Sequence, residues 1–133
     1  MTNISFEREE WNGDAEIDLA HAETHLNEYF DQVETGDLAL FGFFKDGERC
    51  GSAIARIFRK NDNDYMEAVE VGGRGLDVKG FYFPFFVALA KSMNCEKFLI
   101  GTDRPAMKKF CQDCDFDQTY TEYEIDVEKV LAI

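Results

Sequence analysis

The chain has 133 residues, enough for one domain with one core, and 45% of them are hydrophobic, which excludes wholesale disorder. Asp and Glu number 27 against 14 Lys and Arg, a formal charge of −13. Such a surface repels phosphate backbones and argues against nucleic-acid binding, while leaving solubility in a saline setting, a basic protein partner, or acidic mimicry of nucleic acid as readings.

The first ten residues are polar, without the apolar core of a secretory signal, and no run of apolar residues approaches membrane-spanning length. The expectation is a soluble, cytoplasmic protein whose cysteines, Cys50, Cys95, Cys111 and Cys114, are reduced. Ile4–Glu9 alternates as a first strand should. The turn Asn12-Gly13-Asp14 follows, with Asp14 as the helix N-cap. Ala15, Leu19, Ala22, Leu26 and Tyr29 then recur at three- and four-residue steps, one face of an amphipathic helix.

Leu38–Phe44 and Cys50–Phe58 read as a hairpin around Lys45-Asp46-Gly47-Glu48, because Asp-Gly supplies the positive φ angles of a tight turn. A second turn, Asn61-Asp62-Asn63-Asp64, leads into a strand at Tyr65–Val71, which Gly72, Gly73 and Gly75 break. Phe81–Met93 reads as a helix with Pro84 in its first turn and Lys91 as its one charge. A helix so apolar must be covered on more than its sheet face, by its own chain, a second copy or a protein partner. A short buried strand at Lys97–Ile100, a helix at Pro105–Cys114 and a last strand at Gln118–Val127 complete the order β-α-β-β-β-α-β-α-β. The 13 phenylalanines cluster at Phe41–Phe44 and Phe81–Phe86, where they belong to the core. The fold class is α/β in one domain, residues 1–133: a mixed, mostly antiparallel sheet with helices on both faces.

Two short motifs remain. His21 and His25 lie one turn apart, a spacing that can hold zinc, but no third ligand is evident and solvated histidines on an acidic helix are the simpler reading. Cys111-Gln-Asp-Cys114 has redox spacing, yet it lies at a helix C-terminal end among acids, where a thiolate is disfavoured. No metal site is expected.

From Asp64 to Phe116 the element order, and the segment TDRPAMKKFCQDCDF at Thr102–Phe116, resembles the acyl-CoA-binding half of the GNAT acetyltransferases. Thr102, Asp103, Pro105, Ala106, Phe110 and Phe116 fall where that family's second motif places such residues, which sets Arg74 at the arginine of its pyrophosphate loop. The resemblance implies acetyl-CoA as cofactor, gripped by Val71, Gly72, Gly73, Arg74, Gly75, Lys79, Gly80 and Arg104, with backbone N–H groups and a helix end facing the pyrophosphate. It implies a base on the strand, Glu67 or Glu70, and sets Cys111 where the family often has a tyrosine acid. In a regular strand Glu67 shares a face with Val69 and Val71, and Glu70 shares one with Ala68.

The departures are as informative. The loop glycines fall on Asp77 and Lys79 unless a slip brings in Gly72, Gly73, Gly75 or Gly80; Arg104 replaces an asparagine and Asp115 a glycine. The expectation is a GNAT-like fold with a degenerate acetyl-CoA site, acting through protein contacts of the 81–93 helix, as in small GNAT-like proteins of bacteriophage virions. The alternatives are an active N-acetyltransferase on an amine or protein lysine, and the acidic mimic.

Overall fold

The computed structural model describes residues 4–73, 82–101, 105–114, 117–118 and 122–130. Among these residues seven strands form one sheet, β1 (Ile4–Glu9), β2 (Ala39–Lys45), β3 (Glu48–Lys60), β4 (Asn63–Gly73), β5 (Lys97–Gly101), β6 (Asp117–Gln118) and β7 (Glu122–Asp126), in the spatial order β1-β2-β3-β4-β5-β7-β6. Every pair is antiparallel except β4 with β5. That parallel pair needs a crossover, and α3 (Phe83–Ser92) supplies it. The other helices are α1 (Gly13–Asp18), α2 (Leu26–Thr35) and α4 (Pro105–Asp113), with short 3-10 turns at Ala20–His25 and Val127–Lys129.

Both hairpins close through two-residue turns with positive φ: Asp46 and Gly47 between β2 and β3, Asn61 and Asp62 between β3 and β4. The backbone twist of such turns matches that of the strands they join, and Asn, Asp and Gly are the residues that tolerate it. The expected single helix after β1 is instead α1, a 3-10 turn and α2, with Ala22 at φ −103° and ψ 31° marking the kink. Its N-cap is Asn12 rather than Asp14: the Asn12 Oδ1 accepts the Ala15 N–H at 2.9 Å, so the first turn already contains Asp14. The expected last strand is two, β6 and β7, paired antiparallel.

Two apolar clusters sandwich the sheet. On one face α1 and α2 press Ala15, Leu19, Leu26, Tyr29 and Val33 against Leu38, Leu40 and Ile54. On the other face α3 buries five of its side chains, Phe83, Phe85, Phe86, Val87 and Leu89, together with Ala90, against β2 to β5 and β7. Phe43 stacks on Phe85 at 4.0 Å between ring centroids, and Phe98 meets both Phe83 and Phe86. Each buried phenylalanine contributes about 1.5–3 kcal/mol, so the two Phe blocks are the main apolar anchor of the crossover. The chain itself covers α3; the large exposed apolar side chains among the described residues lie elsewhere, at Ile4, Ile17, Phe30 and Ile57. No described helix is long and apolar enough to cross a membrane.

Candidate active site at the fork of β4 and β5

Among the described residues β4 runs on past the end of β5. Their ladder runs from Tyr65↔Lys97 to Ala68↔Ile100 and stops, while β4 continues to Gly73, held on its other side by β3. Among the described residues, the β5-facing edge of Val69–Gly73 has no ladder partner. That edge is about 13 Å long at the usual rise per residue. It offers backbone N–H and C=O groups that an extended ligand carrying amides can meet.

The fork begins at a bulge. Ala55 pairs with Ala68, but Ile54 pairs with Glu70, so Val69 is an extra residue on β4. An extra residue reverses the alternation that a regular strand would keep. Ala68 and Val71 pack on the α3-side core, whereas Val69 packs on the α1–α2 side. Glu70 also points to the α1–α2 side, into contact with Tyr29 and His21. The expected pairing of Glu70 with Ala68, and of Val69 with Val71, is therefore corrected by the bulge.

The two candidate bases have different surroundings. Glu67 Oε1 accepts from Arg56 Nε at 2.8 Å, a pair whose arginine is half exposed. Glu70 stands on the unpaired part of β4. Its Oε1 lies 2.8 Å from His21 Nε2, and its Oε2 accepts from the Tyr29 hydroxyl at 3.2 Å. Burial, and then the Glu70 carboxylate, push the Tyr29 phenol up to about 12, so Tyr29 keeps its proton and donates it. His25 tilts against the Tyr29 ring, with centroids 5.9 Å apart, so the two histidines serve different contacts.

Gly72 and Gly73 lie inside β4 instead of breaking it. A Cβ at Gly72 would run into the Asp18 carbonyl and the His21 ring; one at Gly73 would meet the Cys50 carbonyl and, at 2.9 Å, the Tyr82 hydroxyl. Glycine at these positions lets α1 and β3 close on the strand end, whatever ligand is bound. Val71 is half-buried against the α3-side core. Arg74, Gly75, Asp77, Lys79, Gly80 and Arg104 lie outside the described residues.

A polar lock holds α1 over the fork. Arg49 donates to both oxygens of Glu9, at 2.8 and 2.7 Å, to Asp18 Oδ2 at 3.3 Å and to Ser52 Oγ at 2.8 Å. Ser52, fully buried, donates to the same Asp18 oxygen at 2.7 Å. The Arg49 bond holds the Glu9 carboxyl below its ordinary value, and Glu9 in turn holds Arg49 protonated. Cys111 of α4 is fully buried in the α3-side core, and burial pushes its thiol up to about 11.

Sequence reasoning named Glu67 and Glu70 but not Tyr29, Asp18, Arg49 or Ser52. Tyr29 stood among the apolar face of a helix, and His21 lies 49 residues from Glu70. The weak signal was Tyr29 itself, whose hydroxyl needs a partner once buried.

No protein-family model and no curated protein matches the sequence. Solved structures do. A GNAT-family protein from Desulfovibrio desulfuricans superposes with a TM-score of 0.68 at 11% identity, covering 94% of this chain and 99% of its own. An acetyltransferase from Bacillus subtilis, solved in complex with CoA, gives 0.67 at 16% identity, covering 93% and 99%. The AtaTR complex bound with acetyl-CoA gives 0.66 at 7% identity, covering 96% of each chain. The likeness spans nearly the whole length of each: this chain has the fold of the GNAT acetyltransferases.

Proposed function

We propose that the chain binds an acyl-CoA along the free edge of β4 and transfers the acyl group to an amine, with Glu70 as general base. The observation that carries this reading is the edge Val69–Gly73, without a ladder partner among the described residues and beside the parallel strand β5, with Glu70 mounted on it. That unpaired run suits the amide-bearing arm of such a cofactor, and the fold is shared with an acetyltransferase solved with CoA. Acetyl-CoA would supply a thioester carbonyl open to attack. The chain's own groups do the rest. Backbone N–H and C=O groups of Val69–Gly73 orient the arm. Tyr29 and His21 fix the Glu70 carboxylate, which takes the proton an amine must lose. A surface carrying −13 favours a cationic acceptor.

Calorimetric titration with acetyl-CoA tests the reading. Binding in the micromolar range is expected, together with release of CoA in the presence of a primary amine. Glu70→Gln keeps the binding and slows transfer by roughly 10²-fold or more. Silence at millimolar acetyl-CoA overturns the proposal.

A second reading is favoured by Cys111. It is fully buried in the α3-side core, which withdraws it as a proton donor to a departing thiolate. A degenerate GNAT fold that binds without transferring, and acts through protein contacts, fits that feature. The covering of α3 by its own chain lends this reading no interface. Acetyl-CoA binding with no transfer to any of lysine, spermidine or a peptide amine would select it.

A further inference from the structure

We propose that a cleft on the opposite side of β3 from the fork, between the end of β1 and α2, docks a basic amphipathic segment of a partner protein. This goes beyond the acyl-transfer reading and does not depend on it.

Charge is the first observation. Residues 7–37 hold 11 of the 27 acidic side chains and a single basic one, Arg8, so this arm carries −10 of the chain's −13. Several of these acids are satisfied internally: Glu9 and Asp18 hold Arg49. Glu10 and Glu34 are not. Both are exposed and both line the cleft, beside Arg8 and the Arg49-bound Glu9, and among the described residues neither Glu10 nor Glu34 pairs with a cation.

Shape and apolar surface are the second. The cleft has a volume of about 240 Å³, with Trp11 as a wall and Val33 and Leu38 in its lining. That is roughly eight times a water's share of liquid volume, room for a long side chain. The Trp11 ring meets Phe30 edge to face at 5.9 Å, and Phe30 is 40% exposed. Trp11 donates its indole N–H to Glu16 at 3.1 Å. An aromatic wall and two carboxylates without a cation among the described residues are the chemistry that takes a lysine or arginine, its stem on the ring and its charge toward the acids. Exposed Phe30, packed on Trp11, asks for an apolar neighbour beside that cation. A segment mixing basic and aliphatic residues offers both. A polyamine lacks the aliphatic side chains, and nucleic acids and anionic membranes are repelled.

The cleft is separate from the candidate active site. In the sheet, Leu40 at the cleft pairs with Ile54, and Ile54 with Glu70, so the two are two strands apart, about 10 Å.

Trp11 is the only tryptophan in the chain, so its emission reports the cleft directly. The probe is a ten-residue peptide of alternating lysine and leucine, blocked at both ends, titrated into the full chain at physiological salt. A saturable emission change is expected. Glu10→Gln with Glu34→Gln weakens binding roughly tenfold or more. Removing two charges elsewhere, Glu96→Gln with Asp113→Asn, leaves it unchanged. No saturable change overturns the proposal, and so does an equal loss with the distant pair, which would mean diffuse attraction only. Equal displacement by spermine at the same concentration also overturns it, in favour of a small polyamine ligand. A mass that doubles with concentration before peptide is added, by light scattering, overturns it in favour of a second copy.

Discussion

Replacing Arg49 by methionine tests the lock that holds α1 over the fork. Methionine fills much of the same space, so the loss is mainly polar. The guanidinium makes two bonds to Glu9, one to Asp18 and one to Ser52, and is only 20% exposed. Without it, two carboxylates that are 18% and 11% exposed are left facing each other without their cation. Breaking a buried pair by removing one partner costs about 3–5 kcal/mol, and the residual water access here sets the expectation near the lower end, about 3 kcal/mol. For a chain of this length the unfolding entropy is roughly 0.28 kcal/mol/K, so the melting temperature should fall by about 10 °C. The pH dependence has a definite sign. Glu9 titrates below its ordinary 4.5 in the folded chain, so its contribution is fully present above about 4.5 and is lost as the pH falls through the lower folded value. Arg49→Met should therefore flatten the acid limb of stability between those two values. The assay is urea unfolding by circular dichroism at pH 7 and across pH 3 to 5. Adding Glu9→Gln and Asp18→Asn to the variant should recover a good part of the loss, because the stranded charges go with it. A single variant within about 0.5 kcal/mol of the parent, or no recovery in the triple variant, would refute the reasoning.

Gly72→Ala would place a methyl against the Asp18 carbonyl and the His21 ring, so α1 must shift; a loss of about 2–3 kcal/mol is expected in the same unfolding assay. Thiol labelling of the native chain at pH 8 should reach the half-buried Cys50 and Cys114 readily. Cys95 and Cys111, both buried with raised thiol pKa, should label only on unfolding; fast native labelling of Cys111 would show it reachable, as a proton donor must be.

Local chemistry made much of the fold legible. Ile4–Glu9 is a strand with the bounds its alternation sets, and Asp46-Gly47 is the turn its φ angles require. Pro84 sits in the first turn of α3, where a missing N–H costs nothing. What could not be read was decided across the sheet. The helix after β1 reads as continuous because its apolar spacing is nearly regular, yet its first segment ends at Asp18, whose carbonyl is pressed against Gly72 of a strand more than fifty residues away. Glu70, like Glu67, was legible as a candidate through the resemblance, which sets a base on this strand. Its partners were not, because Tyr29 and His21 reach it only through the packing of α2 and the 3-10 turn before it on β4. The bulge at Val69 left no mark in the sequence: it is a matter of register between two strands, and valine suits a regular strand equally well.

That bulge links the two features on which the proposed chemistry depends. A bulged strand bends and twists more than its neighbour, and the ladder from β4 to β5 ends at Ala68, the residue before it. The extra residue thus sits where the described ladder with β5 stops, one residue short of the end of β5 at Gly101. Deleting Val69 is the direct perturbation. Counting on from Ala68, a chain without Val69 alternates regularly and still turns Glu70 toward Tyr29 and Val71 toward α3, so both cores keep their faces. The cost is the loss of one half-buried valine from the α1–α2 cluster, about 1–2 kcal/mol. With the bend removed, β4 should run straighter beside β5 and its edge should close to ligand. A folded deletion variant that has lost acetyl-CoA affinity, next to a Val69→Ala variant that retains both bulge and affinity, is the expected pair of results. Undiminished binding by the folded deletion variant would show that the fork owes nothing to the bulge, and would move the origin of the free edge to β5.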